Sequence, residues 1–80
     1  MDRNEILKKI TDIFIDVFDN PDLVLHEQTK ADDIGEWDSL THIQLVVAVE
    51  KHFVIRFTSM EIQSWNNVGE MMDSIISKKK

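Results

Sequence analysis

Apolar residues near the amino terminus recur at the spacing of an α-helix. Counted from the first of them they fall at i, i+1, i+4, i+7, i+8, i+11 and i+12, which places them on one side of a helix: Ile6, Leu7, Ile10, Ile13, Phe14, Val17 and Phe18. Asp2 and Glu5 have the spacing of a capping box. Pro21 cannot continue a helix and disfavours helical backbone in the residue before it. The sequence therefore predicts a first helix over about residues 3–18.

The segment 19–38 shows no sustained period and predicts a long loop. Its apolar residues are suited to pin that loop to a core: Leu23, Leu25, Ile34 and Trp37. A loop of about twenty residues is uncommon in a compact domain and is often functional. At its end, the Asp38 carboxylate can accept hydrogen bonds from the free N–H groups of a following turn. This predicts a second helix over about residues 39–53.

Two shorter helices are predicted after the second. A T-x-x-E capping box at residues 58–61 precedes a third helix over about residues 59–64. Asn67 and Glu70 repeat that spacing before a fourth helix over about residues 68–77. The fourth helix has its own apolar stripe: Val68, Met71, Met72, Ile75 and Ile76.

Together these patterns predict an all-α fold, since no alternation typical of a strand is visible. We expect a small four-helix bundle with a short third helix and a long loop between helices one and two, in a single domain over residues 1–80. Methionine adapts to irregular gaps, so the internal methionines are expected to fill the core: Met60, Met71 and Met72.

Size and charge narrow the class of function. A chain of 80 residues buries roughly 60% of its unfolded surface and leaves little material for a deep active-site cleft, which favours a binding, carrier or adapter module. The net charge is −6, with eleven of the fifteen acidic residues in residues 1–38. This balance disfavours nucleic acid as a partner and favours basic protein surfaces. The absence of cysteine excludes disulfides, thiolate metal sites and a thiol nucleophile.

Neither a signal peptide nor a membrane span is visible. Residues 1–20 mix charged and apolar residues, and no apolar run approaches the roughly 20 residues that cross a bilayer. We therefore expect a soluble, cytoplasmic protein without membrane insertion. Lys78–Lys80 are expected to form a solvated tail.

The predicted second helix carries two apolar stripes when its residues are placed about 100° apart. The first stripe should face the core: His42, Leu45, Val46, Val49 and Phe53. The second lies on another side, with Ser39 at its N-terminal end and with Gln44 and Lys51 beside it: Leu40, Ile43 and Val47. A small bundle rarely surrounds one of its helices, so we predict that the second stripe is partly exposed, as partner sites often are. The alternative is that the loop 19–38 folds over it.

The segment DSLTHIQLVVAVEKHF, residues 38–53, resembles the acyl carrier proteins and the related peptidyl carrier domains. Nearly the whole chain fits their pattern. An amphipathic first helix and a long loop precede D-S-L at the start of the second helix, E-x-x-F follows at residues 50–53, and a short third and a final helix complete it. D-S-L alone is common by chance, but its place near mid-chain, the acidic balance and the length make the combination specific.

The resemblance implies a prosthetic group and a role. In the family the serine of D-S-L receives 4′-phosphopantetheine from coenzyme A through a phosphodiester; Ser39 is that residue here, next to Asp38. The group ends in a thiol that carries acyl intermediates as thioesters. A helix N-terminus offers N–H groups and partial positive charge that favour a phosphate. The chain would then be no enzyme itself, and its partners would be a phosphopantetheinyl transferase and the enzymes that load and process the acyl group.

By the same resemblance, partners bind the second helix and the loop before it. The expected partner contacts are Trp37, Leu40, Ile43, Gln44, Val47 and Glu50. Glu50 is the only acidic residue of this helix after Asp38, whereas carriers of the fatty-acid type usually bear more acids there. This favours a specialised pathway, such as polyketide or nonribosomal peptide synthesis, over general fatty-acid synthesis. Trp37 fits that interpretation or is a simple loop anchor. We expect a free-standing, monomeric carrier.

A hydrolase is one alternative that the residues suggest. Ser39 and His42 are one helical turn apart and could touch, with Asp38 as the third member of a triad. However, capping is the easier use for an aspartate that adjoins the serine, and no glycine-rich turn offers an oxyanion hole. We expect His42 to be a half-buried helix residue.

Two further alternatives concern calcium and partner binding alone. The acid-rich stretch from Asp16 to Glu27 suggests a calcium loop, but Phe18 occupies its third position and Pro21 the position that requires glycine. We therefore expect no metal site. An unmodified acidic helical adapter would use the same exposed stripe without a prosthetic group. Whether Ser39 accepts the modification distinguishes this adapter from a carrier.

Overall fold

A computed structural model describes residues 2–79, which form four α-helices and one short 3-10 helix and contain no strand. The helices are α1 (Arg3–Phe18), α2 (Ser39–Phe53), α3 (Ser59–Ser64) and α4 (Val68–Lys78), and the 3-10 helix spans Ala31–Asp33. The predicted all-α bundle is confirmed. The predicted bounds of the first three helices agree with the structure, and α4 extends one residue further. The 3-10 helix was not predicted, because three residues are too few to show a period.

The core lies where α1 packs against α2 and α4. Its members come from all three helices and from two points of the long loop: Ile6, Ile10, Phe14, Phe18, Leu25, Ile34, Leu45, Val49, Phe53, Val68, Met71, Met72 and Ile75. Met71 and Met72 are buried as predicted, but Met60 is 83% exposed and its prediction was wrong. The short α3 turns only one side toward the bundle, the side with the partly buried Ile62, and Met60 lies two residues and roughly 200° away from it.

The long loop is attached to the bundle through both side chains and backbone. Its four predicted anchors all contact the core. Near its middle, the Val68 N–H donates to the Thr29 carbonyl at 2.9 Å and the Gly69 N–H donates to the Glu27 carbonyl at 2.8 Å. A Cβ at Gly69 would lie 3.1 Å from that Glu27 oxygen, so glycine permits the close approach. The loop is therefore tied to the start of α4.

An ion-pair cluster holds the same loop to the two terminal helices. The Arg3 guanidinium, at the start of α1, pairs with the Glu27 carboxylate in the loop and with the Asp73 carboxylate in α4. The hydrogen bond from Arg3 holds the pKa of Glu27 below its ordinary value. Because all three side chains are substantially exposed, the cluster contributes little to stability and mainly orients the loop.

Of the three predicted capping boxes, one is formed. The Thr58 N–H donates to Glu61 Oε1 at 2.9 Å, and the Glu61 N–H donates to Thr58 Oγ1 at 3.2 Å, at the start of α3. Asn67 caps α4 by accepting the Glu70 N–H at 2.9 Å without the reciprocal bond. The Glu70 carboxylate instead accepts from the side-chain amide of Asn66 at 3.4 Å.

The start of α1 also lacks the reciprocal bond that was predicted. Asp2 accepts the Asn4 N–H at 2.9 Å and so caps the helix alone. Glu5 remains in the first turn of the helix, where its negative charge is favourable near the positive end of the helix dipole.

Lys78 and Lys79 are exposed, as the predicted solvated tail requires, but both also make contacts that the sequence did not predict. Lys78 pairs with the Glu61 carboxylate at 2.9 Å, and the Lys79 ammonium donates to the Phe53 carbonyl at 3.1 Å. Both lysines therefore contact the ends of neighbouring helices. Lys80 lies outside the described residues.

Val54 ends α2 in the left-handed region of backbone space. Its φ is 57° and its ψ is 54°, and its N–H donates to the Glu50 carbonyl. A β-branched residue is strongly disfavoured in this conformation. The side chain is also 85% exposed, so burial does not offset the strain.

We predict that Val54→Asn stabilises the protein, because asparagine tolerates the left-handed conformation. The expected gain is about 1 kcal/mol, or roughly 4–8 °C in Tm, measured by thermal denaturation. Val24 is the matched control, since it is 69% exposed and has no positive φ. Val24→Asn should change stability by less than about 0.5 kcal/mol. Equal shifts for the two variants would show that strain at residue 54 is not the cause.

Candidate functional site

Asp38 fixes the start of α2. Its carboxylate oxygen Oδ1 accepts the Leu40 N–H at 3.0 Å and the Thr41 N–H at 2.9 Å, and its carbonyl accepts the His42 N–H at 2.9 Å. These bonds satisfy donors that would otherwise have no partner at the helix end. The predicted N-cap is confirmed.

Thr41 completes this cap from the other side, which the sequence prediction missed. Its hydroxyl accepts the Asp38 N–H at 2.7 Å and donates to the Glu36 carbonyl at 2.8 Å. The D-x-x-T spacing at 38–41 was the available signal, because threonine can replace the usual Glu or Gln of a capping box. The loop and the helix are thereby joined at one point immediately before Ser39.

The cap also sets the charge state of the site. The pKa of Asp38 is lowered, first by the Thr41 backbone N–H and further by the Thr41 hydroxyl and the Leu40 N–H, which together outweigh the opposing effect of desolvation. A carboxylate that accepts several N–H groups is favoured in its charged form. Asp38 is therefore negatively charged at neutral pH, next to the helix N-terminus.

Ser39 is the first residue of α2, and it is exposed. Its backbone belongs to the capped turn, so the hydroxyl extends into solvent from a fixed position. The N–H groups of Leu40 and Thr41 at this helix N-terminus are occupied by Asp38 and are not free to bind a phosphate. A phosphate on Ser39 would thus gain from the dipole of α2 rather than from these two hydrogen bonds.

Trp37 anchors the end of the loop. Its indole packs edge-to-face on Phe14 with ring centroids 5.1 Å apart, and its Nε1–H donates to His42 Nδ1 at 3.0 Å. The Trp37 and His42 rings are also stacked, with their centroids 5.9 Å apart. His42 is half-buried as predicted, and its Nδ1 accepts, so the neutral ring carries its proton on Nε2.

These partners do not form the hydrolase triad that the sequence left open. The Asp38 carboxylate binds backbone N–H groups of its own helix, and His42 Nδ1 is occupied by the indole of Trp37. Within residues 2–79 no group of three or more His, Cys, Asp or Glu side chains has the arrangement of a metal site.

An open groove of about 470 Å³ is lined by Ser39 and other residues at the start of α2, at the end of α3 and in the segment before α4. The rings of Trp37, His42 and Trp65 line it, as does the buried Met71 of α4. The His42 and Trp65 rings meet edge-to-face at 6.1 Å. Trp65 follows α3 directly, and sequence reasoning gave it no role because it lies outside every periodic stripe.

The two apolar stripes of α2 are separated as predicted. Leu45, Val46, Val49 and Phe53 are buried. On the other stripe Leu40 is 66%, Ile43 62% and Val47 44% exposed, so the long loop does not cover it. Gln44, beside this stripe, is exposed too. The Glu50 carboxylate, by contrast, accepts the Phe57 N–H at 2.8 Å and lies half-buried.

The model of a protein family described as "Phosphopantetheine attachment site" matches residues 8–75. The acyl carrier protein of Thermosynechococcus vestitus is 30% identical over 79 residues, which cover 98% of this chain and 96% of that protein. The acyl carrier protein of Cyanidium caldarium is 32% identical over 77 residues, which cover 95% and 88%. The chain belongs to the acyl carrier protein family.

The fold agrees with this membership. A solution NMR structure of holo acyl carrier protein from Geobacter metallireducens superimposes with a TM-score of 0.86 at 42% identity, over 91% of this chain and 84% of that one. As an acyl carrier protein the chain is a carrier and not a catalyst, and its cofactor is covalently bound 4′-phosphopantetheine. The family also implies a phosphopantetheinyl transferase and biosynthetic enzymes as partners.

No helix in residues 2–79 has both the length and the apolar character that crossing a bilayer requires.

We predict that Asp38→Asn lowers Tm at pH 7 by a few degrees, and that the difference from the wild type shrinks on acidification. The folded-state pKa of Asp38 is below its ordinary value, so the stability its charge contributes is present above about pH 4 and is lost as the pH falls through the folded pKa. Thermal denaturation at pH 7 and pH 3 measures this. Asp12→Asn, an exposed carboxylate in the middle of α1, is the control. A difference as large at pH 3 as at pH 7 would contradict the prediction.

Proposed function

We propose that Ser39 is the residue of this acyl carrier protein that receives 4′-phosphopantetheine. Its Oγ forms a bond to the phosphorus that bears pantetheine in coenzyme A. The bond from that phosphorus to the second phosphate breaks, adenosine 3′,5′-bisphosphate leaves, and the transferase takes up the hydroxyl proton. The group supplies a thiol that holds acyl intermediates as thioesters, which this cysteine-free chain does not have by itself.

The observation that carries this proposal is the exposed Ser39 hydroxyl on a backbone fixed by the Asp38–Thr41 cap. A transferase needs the hydroxyl to be accessible and held in one place, and it supplies the catalytic groups itself. No neighbouring base is required, which is consistent with His42 being bound to Trp37. The D-S-L resemblance and the exposure of Ser39 therefore support the same residue.

We further propose that partner enzymes bind the exposed stripe of Leu40, Ile43 and Val47, with Asp38, Trp37, Gln44 and Glu50 at its borders. The stripe carries no charge of its own, so apolar contact supplies most of the binding energy. Glu50 is the only acidic residue of α2, and its bond to Phe57 leaves it less able to meet a basic partner. Trp37 is mainly held within the fold.

The low charge of this stripe supports service in a specialised pathway rather than general fatty-acid synthesis. Enzymes that recognise an acid-rich second helix would find only Asp38 and Glu50 on this one. We place the protein in the cytoplasm as a monomeric single carrier domain.

We predict that a broad-specificity phosphopantetheinyl transferase, with coenzyme A and magnesium, adds one phosphopantetheine to the wild type and none to Ser39→Ala. Intact mass spectrometry measures the gain. Ser59→Ala is the matched control, because Ser59 is also exposed and is also the first residue of a capped helix. This variant should be modified fully. No gain in the wild type, with a transferase active on another carrier, would leave the unmodified adapter as the better explanation.

We predict that Ile43→Asp and Val47→Asp each lower the transferase kcat/KM by about tenfold, equivalent to about 1.4 kcal/mol. A carboxylate there would lose its water on contact with an apolar partner surface. Circular dichroism should show unchanged helicity, since both side chains are exposed. Val24→Asp, on an exposed valine outside α2, should leave kcat/KM unchanged. Wild-type rates for both α2 variants would remove the stripe from the transferase interface.

A further inference from the structure

The groove beside Ser39 is lined by aromatic rings and by amide side chains. The half-buried rings of Trp37, His42 and Trp65 are termed its walls, and the exposed amides of Gln63 and Asn66 its rim. Its volume of about 470 Å³ is within the range of small-molecule sites, roughly 300–1,000 Å³. It is open to solvent along its length, so a group attached to Ser39 can enter it without passing through the core.

The rim and the walls fit the chemistry of a pantetheine arm. The arm contains two amides, which can exchange hydrogen bonds with amide side chains, and a pair of methyl groups, which can contact an aromatic surface. Ser39 lies on the groove itself, so the arm needs no rearrangement of α2 to reach it. The acyl cargo is attached at the end of the arm. The rings that line the groove then decide which kind of cargo is held there.

Trp37 lies between the groove and part of the core. It lines the groove, its indole packs on the fully buried Phe14 at 5.1 Å, and it is held by its bond to His42. Met71, which also lines the groove, is itself buried in the core. A long alkyl chain that entered the bundle past Trp37 would have to displace this indole and break its hydrogen bond with His42.

Aromatic rings prefer edge-to-face or offset contacts with other rings, worth about 0.5–1.5 kcal/mol beyond the burial of area. His42 and Trp65, which both line the groove, already contact each other in this way. An aromatic cargo has the same options with these rings, whereas a flexible alkyl chain has only its burial and must lose more conformational freedom to be held.

We propose that the groove bounded by Trp37, His42 and Trp65 is a cargo site selective for aromatic acyl groups, and that Trp37 closes the core to long alkyl chains. This rests on the proposed attachment at Ser39. The expected cargo is an aryl or arylalkyl acyl group, and these three residues discriminate it from an alkyl chain.

The test compares two cargoes with the same number of carbon atoms. A phosphopantetheinyl transferase that accepts acyl-coenzyme A derivatives loads isotope-labelled protein with either a phenylacetyl or an octanoyl group. Unacylated holo protein is the reference. Intact mass is measured before each spectrum, so attachment is established independently of where the cargo lies.

NMR then locates the cargo. The chain has two tryptophans, so the indole N–H signals of Trp37 and Trp65 report on the groove directly. We expect the phenylacetyl sample to shift both signals and to show nuclear Overhauser effects between cargo ring protons and both indoles. The octanoyl sample should show weaker effects there and none to the core methyl groups of Leu45 and Val49.

Trp65→Leu removes one wall, and we expect the phenylacetyl contacts with the indole of Trp37 to be lost in this variant. Met60→Leu is the matched control on the exposed side of α3 and should retain them. The comparison of the two cargoes on wild-type protein decides the proposal by itself if Trp65→Leu fails to fold.

The outcomes separate this proposal from the one it rests on. Absence of any mass gain would overturn attachment at Ser39 and the cargo site with it. Full loading with no phenylacetyl contact to either indole, with equal contacts for both cargoes, or with octanoyl contacts to Leu45 and Val49 would overturn the cargo site alone.

Discussion

The hydrogen bonds between Asp38 and Thr41 determine how this carrier presents its serine. One carboxylate accepts two N–H groups of α2, and one hydroxyl closes the turn while holding the preceding loop through the Glu36 carbonyl. Without this cap the first turn of α2 would fray, and Ser39 would move with it. The position of Ser39, the proposed attachment residue, is therefore set by local hydrogen bonding, whereas the core fixes the direction of the helix.

The long loop contributes to the same end from a distance. Trp37, immediately before Asp38, packs on Phe14 and bonds to His42, and the middle of the loop is tied to α4 through Glu27 and Thr29. These contacts fix the path of the backbone that leads into the cap. They also leave the stripe of Leu40, Ile43 and Val47 uncovered, so one helix can bury one face, expose another and carry Ser39 at its end.

Strong local signals made most of this predictable from sequence. The caps at Asp38 and at 58–61 set the starts of α2 and α3, and helical period separated the two stripes of α2. Other features depend on distant contacts. Met60 is exposed because α3 is short and turns only one side toward the bundle. The bond between Trp37 and His42 forms only when the loop meets α2. Trp65 likewise lines the groove only because the end of α3 lies beside the start of α2. The strained Val54 contradicts the local preference for glycine or asparagine at a helix end, so no rule of sequence reveals it.

The most direct test of the central claim is tandem mass spectrometry of peptides from the protein after modification in a host cell. Fragmentation locates the phosphopantetheine on one residue. It distinguishes Ser39 from Thr41, which lies in the same first turn of α2, and from Ser59, which is exposed at the start of α3. We expect the group on Ser39 alone. Its presence on another hydroxyl, with Ser39 unmodified, would contradict the conclusion that the Asp38–Thr41 cap presents the attachment site.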